Sequence, residues 1–109
     1  MKLIRFCFLL ITVSVFAQNN NKYSTFFEKG NGNQSADYTE TMAFYTLLAH
    51  DFSTVKMEKM GLTDSGEPLY MITFNPEKKF NFDEIQKNKA VLLLNNGIHA
   101  GEPDGIDAT

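Results

Sequence analysis

The sequence has few residues that could form cross-links or bind polyanions. Cys7 is the only cysteine among 109 residues, which excludes an intramolecular disulfide and a thiolate zinc site. Arg5 is the only arginine, and 13 acidic residues outnumber 10 basic ones to give a formal charge of −3. Because no basic surface is available to neutralise phosphates, the sequence argues against nucleic-acid binding. Hydrophobic residues nevertheless make up 43% of the chain and charged residues 21%, which is typical of a globular protein.

A long hydrophobic run is also lacking, because the first apolar stretch covers only residues 6–16. A bilayer-spanning helix needs about 20 apolar residues, so this stretch does not predict a membrane anchor. A short basic segment precedes the stretch, and Val15 and Ala17 follow the spacing of a signal-peptidase site. We expect residues 1–17 to be a signal peptide that is cleaved before Gln18. The mature protein is then expected to be secreted or periplasmic, without a stable membrane anchor.

The middle of the chain begins with a polar segment and continues with a helical pattern. Residues 18–36 are rich in Asn, Gly and Ser, and they predict a lead-in segment with little regular structure. Asp37 and Glu40 have the spacing of a capping box at a helix start. The apolar residues that follow predict an amphipathic helix reaching about Asp51, with one face in a core: Tyr38, Met42, Tyr45, Leu48 and Phe52. His50 has no partner at metal-binding spacing nearby, so a structural role is expected for it.

The second half of the body shows the patterns of strands. Residues 55–62 and 69–74 flank a turn cluster at 63–67, which predicts a β-hairpin. Residues 75–88 are a polar connection. Residues 90–94 form a continuous apolar run that is too short for a helix and is typical of a central strand covered on both faces. These elements together predict an α/β fold.

The residues after this predicted strand carry the strongest chemical signal in the sequence. His99 and Glu102 lie three residues apart, so a helical turn would direct both side chains to one point. Imidazole nitrogen and carboxylate oxygen are normal ligands of zinc. Gly101 removes side-chain bulk between them, and Pro103 suits the first turn of a helix that would include Asp104. The pattern predicts a zinc half-site at a strand end, and the alternative is a histidine paired with a surface glutamate.

In three segments the sequence resembles the zinc metallocarboxypeptidase family, the carboxypeptidase A-like peptidases. Residues 38–42 are similar to the opening helix of that family, residues 61–69 to its first hairpin, and residues 94–102 to the strand that leads into its metal motif. Glu67 departs from the basic residue that is usual in the hairpin. Gly101 replaces the arginine that animal digestive members carry before the ligand glutamate, a form more like bacterial members.

The resemblance implies a fold, a metal and a reaction. Residues 37–109 would be the N-terminal portion of a mixed-sheet zinc carboxypeptidase fold with helices on both faces. His99 and Glu102 would be two of three protein ligands to a catalytic Zn²⁺ in an enzyme that hydrolyses C-terminal peptide bonds of peptides or proteins. The third ligand, the general base and the oxyanion-stabilising groups are expected beyond Thr109. The chain is therefore expected to be a truncated, inactive fragment without a catalytic residue of its own.

Two other functions are compatible with the same residues. The first is an aspartoacylase-like or succinylglutamate desuccinylase-like zinc amidohydrolase, which also has a strand-end histidine followed by a glutamate three residues later. Those enzymes usually have Gly-Asn or Gly-Asp between the ligands, where this chain has Ala100 and Gly101. The second is a non-catalytic exported binding module, in which the His-x-x-Glu pattern is fortuitous.

Overall fold

The computed structural model describes residues 21–99 and 101–108 of the chain, so the predicted signal peptide lies outside the described residues. After a short 3₁₀ turn at Asn21–Tyr23, the elements follow in the order α1 (Phe26–Lys29), α2 (Tyr38–Asp51), β1 (Val55–Leu62), β2 (Pro68–Phe74), α3 (Phe82–Ile85) and α4 (Asp104–Asp107). This part of the chain is a small mixed α/β arrangement of helices and one two-stranded antiparallel sheet. None of its helices has the length and apolar character needed to cross a membrane.

The longest element, α2, begins where the capping pattern predicts. The Asp37 Oδ1 atom accepts a hydrogen bond from the Glu40 backbone N–H at 2.8 Å, and Glu40 Oε2 accepts one from the Asp37 N–H at 2.9 Å. These two bonds satisfy backbone donors that have no partner inside the helix. The helix ends before Phe52, which is extended at φ −119° while its N–H still bonds to Leu48 O. The prediction of a capped helix reaching Asp51 is confirmed.

Replacing Asp37 by alanine is expected to fray the first turn of α2 at a cost of about 1 kcal/mol, because the Glu40 N–H loses its acceptor. Amide hydrogen exchange in this turn should measure the change. The Asp37→Asn variant keeps a side-chain oxygen and should exchange almost as slowly as the wild type. Equal protection in the alanine and asparagine variants would show that the cap does not stabilise this helix.

The predicted hairpin is also present. β1 and β2 pair antiparallel from Val55 opposite Phe74 to Leu62 opposite Pro68, with a register shift between Lys59 and Gly61. In the turn, the Thr63 N–H donates to Glu67 O at 2.7 Å. Gly66 adopts φ +86°, a left-handed conformation that glycine reaches without steric cost. The turn cluster in the sequence therefore specifies the reversal of the chain.

Contacts from the start and the middle of α2 to both strands hold the helix against the hairpin. Thr46 Oγ1 lies 3.5 Å from Met57 Sδ, and the Tyr38 hydroxyl donates to Pro68 O at 2.5 Å. The apolar face predicted for α2 is half-buried or partly exposed against this two-stranded sheet. In the described part of the chain no apolar side chain is fully buried, and the most buried polar residue, Asn75, is 7% exposed. A hairpin and one long helix do not enclose a hydrophobic core.

The predicted central strand at residues 90–94 is absent from the structure. The described residues 90–98 belong to no helix or strand, and Leu92 and Leu93 are 81% and 82% exposed. A strand exists only when a neighbour supplies hydrogen bonds along its edge, and β1 and β2 pair with each other rather than with this segment. The continuous apolar run predicted a buried position that the described part of the chain does not provide.

Two short helices lie where the sequence predicted little regular structure. Helix α1 falls inside the lead-in segment, where Thr25 and Glu28 form a second capping box. Helix α3 falls inside the polar connection, where the Asn81 side chain accepts a hydrogen bond from the Asp83 N–H at 3.1 Å. Each helix begins at a side chain that caps it, so the missed signals were local capping residues rather than apolar periodicity.

Candidate metal site at His99 and Glu102

The structure brings the two predicted ligands together. His99 Nδ1 lies 2.9 Å from Glu102 Oε2, and the Glu102 backbone N–H donates to His99 O at 3.3 Å. Gly101 between them adopts φ +85°, which a residue with a side chain rarely does. The chain therefore makes the tight turn that the His-x-x-Glu spacing predicts. Both side chains are accessible to a ligand, because they are 69% and 67% exposed.

The loop that carries the pair is closed by contacts between the residues before it and the helix after it. A Cβ atom added to Gly97 would lie 3.4 Å from Ile106 Cγ1, and one added to Gly105 would lie 2.8 Å from Asn96 Cβ. The contact at position 105 needs a glycine, since a larger residue there would collide with Asn96, and Gly97 adopts φ +65°, which favours glycine. Helix α4 thus packs on the segment that precedes His99 and holds the ends of the loop together.

The nitrogen and oxygen donors of His99 and Glu102 fit zinc, although in the structure they are hydrogen-bonded to each other. Two metal bonds of about 2.1 Å at a tetrahedral angle place the donor atoms about 3.4 Å apart. The observed separation of 2.9 Å is shorter, so the side chains would have to open by about half an ångström. Their exposure permits that movement. Within residues 21–99 and 101–108 no group of three or more His, Cys, Asp or Glu side chains is placed to hold a metal ion. The described residues therefore bring together two donors of the kind that zinc takes, one fewer than the three protein ligands of a typical catalytic zinc.

The other histidine lies in a different environment, which agrees with the structural role expected for it. His50 Nδ1 is 2.9 Å from Asp51 Oδ1, and Asp51 Oδ2 accepts a hydrogen bond from the Tyr23 hydroxyl at 3.0 Å and an ion pair from Lys22 Nζ at 2.5 Å. The Lys22 ammonium, with His50 and Tyr23, holds the pKa of Asp51 well below its usual range. This carboxylate is already satisfied by three donors, and it joins the lead-in segment to the end of α2.

The Asp51 contacts are expected to be sensitive to acid. Because its pKa is lowered in the folded chain, the stabilisation is fully present above the unfolded pKa of about 3.9 and is lost progressively as the pH falls from that value through the lower folded pKa. The contact between the Tyr23 and Phe52 rings, whose centroids are 5.1 Å apart, should weaken over the same range in NMR spectra. The Asp51→Asn variant, which lacks the charge that pairs with Lys22, should weaken this ring contact already at neutral pH.

The matched control for this pH effect is Asp64→Asn in the hairpin turn. The Asp64 side chain makes no hydrogen bond or ion pair within the described part of the chain. This variant should therefore keep the Tyr23–Phe52 contact at neutral pH and lose it in acid as the wild type does. A ring contact that persists in acid in the wild type would show that Asp51 does not hold the lead-in segment in place.

A cavity in the described residues lies beside this loop and not at the histidine. It has a volume of about 460 Å³ and is formed between the lead-in segment, at Phe27 and Asn33, and the end of the chain, at Pro103 and Asp107. Neither His99 nor Glu102 lines it. A substrate bound in this cavity would not contact the candidate ligands directly, so the cavity adds no support to a metal-dependent reaction.

Comparison with known proteins supplies no relative from which a site could be transferred. No family model, no curated protein and no solved structure matches the chain. The functional assignment consequently depends on the chemistry of His99 and Glu102 and on the resemblance of the three segments described above.

Proposed function

We propose that residues 37–109 form the N-terminal portion of a secreted or periplasmic zinc metallocarboxypeptidase, in which His99 and Glu102 are two of the zinc ligands. The observation that carries the proposal is the approach of His99 Nδ1 to within 2.9 Å of Glu102 Oε2 in an exposed turn. An imidazole nitrogen and a carboxylate oxygen that lie close together and are accessible to solvent are donors of the kind that catalytic zinc sites use, which supports the proposal.

The residues of this chain would bind and orient the metal rather than carry out the proton transfers. His99 and Glu102 would hold Zn²⁺, and the Gly101 turn with helix α4 behind it would fix their spacing. When bound at such a site, Zn²⁺ polarises a substrate carbonyl and lowers the pKa of its bound water. A third ligand, a general base and a cation for the oxyanion would come from residues other than these two. The substrate would be the C-terminus of a peptide or protein.

A non-catalytic binding module is the second candidate, and one observation favours it. The pair is closed as a hydrogen bond at 2.9 Å, which a histidine and a glutamate can form without any metal. In that case the pair would stabilise the loop before α4, and zinc would have no effect on the protein. The zinc amidohydrolase alternative has no comparable support, because Ala100 and Gly101 stand where that class usually has Gly-Asn or Gly-Asp.

Removal and return of the metal distinguishes these functions. The complete gene product, with any residues that follow Thr109, is treated with a zinc chelator and assayed for release of the C-terminal residue from a set of peptides. We expect activity to be lost with the metal and restored by Zn²⁺. Hydrolysis of N-acyl amino acids instead of peptides would indicate the amidohydrolase. A protein that binds no zinc and hydrolyses neither substrate class would be a binding module.

The 109-residue chain by itself is expected to bind zinc only weakly. Two protein ligands leave a tetrahedral site half filled, and catalytic zinc normally has three. Zinc added to the chain should therefore be lost on dialysis against a weak chelator. Stoichiometric zinc retained through that dialysis would show that the chain holds more ligands than His99 and Glu102.

A further inference from the structure

The sequence contains two Asn-Gly steps, Asn31-Gly32 and Asn96-Gly97, which differ in their structural environment. An Asn-Gly step is chemically reactive because the glycine has no side chain to shield its backbone nitrogen from the asparagine carboxamide. Attack of that nitrogen on Cγ closes a five-membered ring. The reaction requires an N–H that can lose its proton and a backbone that can bend toward the side chain.

The first step, Asn31-Gly32, is protected. The Gly32 N–H donates to Phe27 O at 2.9 Å, and a Cβ atom added to Gly32 would lie 3.3 Å from the Phe27 ring. Asn31 and Gly32 adopt φ values of 53° and 77°, so both residues form a tight left-handed reversal after α1. The nitrogen must break its hydrogen bond and leave this reversal before it can attack.

The second step, Asn96-Gly97, is open. Both residues are exposed and lie outside any helix or strand, and the Gly97 N–H makes no hydrogen bond within the described part of the chain. The residues on its N-terminal side, including Leu93 and Leu94, are also exposed. Within the described residues, the contacts of Asn96 with Gly105 and of Gly97 with Ile106 restrain it. The reactive nitrogen is therefore available to solvent base.

We propose that Asn96 is a site of spontaneous deamidation, while Asn31 is preserved. A solvent base removes the Gly97 N–H proton, the nitrogen forms a bond to Asn96 Cγ, and the Cγ–Nδ2 bond breaks to release ammonia. The resulting succinimide is opened by one water molecule. Opening at the side-chain carbonyl gives aspartate, and opening at the backbone carbonyl gives isoaspartate. Water is the only co-reactant, and no oxidation or reduction occurs.

The modification changes the segment that leads to His99. Either product introduces a carboxylate three residues before His99, and isoaspartate also lengthens the main chain by one methylene group. The isoaspartate product would displace the contact between residue 96 and Gly105 that closes the loop. The proposal does not depend on zinc binding or on hydrolysis, because its readouts are the mass of the peptide and the ammonia released.

The test compares the two steps in one sample of the full chain. The protein is incubated at neutral and mildly alkaline pH, and the conversion of each asparagine is followed by peptide mass spectrometry with separation of the aspartate and isoaspartate forms. We expect Asn96 to react several-fold faster than Asn31, and faster as the pH rises. In concentrated denaturant the two rates should become similar, because both steps then have the same local covalent structure.

Two variants complete the experiment. Asn96→Gln should abolish the fast ammonia release, since glutamine cannot close the five-membered ring, whereas Asn31→Gln should leave that release unchanged. Equal rates at the two asparagines in the native chain, or a faster reaction at Asn31, would overturn the proposal. A rate ratio that is the same with and without denaturant would overturn it as well, because the structure would then have no influence on the reaction.

Discussion

Under the proposed function, replacing His99 by alanine is expected to remove zinc from the protein that carries any residues after Thr109, and to reduce the proposed peptidase activity by about 100-fold or more. Mutating a residue that only hydrogen-bonds to a metal ligand typically lowers metal affinity or activity by about 10–100-fold. Removing a ligand itself should therefore cause a larger loss. Glu102→Gln should have a similar effect, because an amide oxygen is neutral and a weaker donor to a divalent cation. Metal content by mass spectrometry and the rate of C-terminal residue release are the two measurements.

The matched control for this prediction is His50→Ala. His50 also lies 2.9 Å from a carboxylate, but its partner Asp51 is occupied by Lys22 and Tyr23. We expect this variant to keep its zinc and its activity. An equal loss in the His50 and His99 variants would indicate damage to folding. Full zinc content in the His99 variant would exclude His99 as a ligand.

Replacing Leu92 and Leu93 together by lysine is expected to reduce self-association. The highest concentration at which the 109-residue chain remains monomeric should rise several-fold. These side chains are 81% and 82% exposed, and they lie in a β-prone apolar run whose backbone has no strand neighbour in the described part of the chain. Such a segment can pair with the same segment of another molecule. Added charge prevents that pairing without loss of packing. Analytical ultracentrifugation over a concentration series measures the effect.

Leu62→Lys is the control for this second prediction. Leu62 is also an exposed leucine, but it lies at the end of β1, where it is already paired with Pro68. It should have little influence on self-association. A double variant as aggregation-prone as the wild-type chain would show that another surface causes the association.

The elements that the sequence predicted correctly are those specified by neighbouring residues. The start of α2 follows from the reciprocal bonds of Asp37 and Glu40, and the hairpin follows from the turn that ends at Glu67. The approach of His99 to Glu102 is of the same kind, because the spacing of three positions and the positive φ of Gly101 determine it. Local geometry of this kind can be derived from residue type and spacing alone.

The strand predicted at residues 90–94 depends on distant residues, and there the prediction was wrong. An apolar run shows that a segment tends to be buried, but its conformation is decided by the strands that would pair with it. The described residues contain one hairpin, whose strands pair with each other. Any further ligand of the candidate zinc site would likewise depend on distant residues, because ligands from separate segments meet only when the whole fold brings them together.

The most direct test of the metal half-site is an NMR titration of the full chain with Zn²⁺, in which the ring signals of the two histidines are followed separately. His99 and His50 each lie 2.9 Å from a carboxylate, so they differ mainly in whether that carboxylate is free to share a metal. We predict that the His99 signals shift or broaden first, that Glu102→Gln weakens this response, and that His50 responds only at much higher zinc concentration. Equal responses of the two rings, or a His99 response that is unchanged in the Glu102→Gln variant, would contradict a zinc site formed by His99 and Glu102.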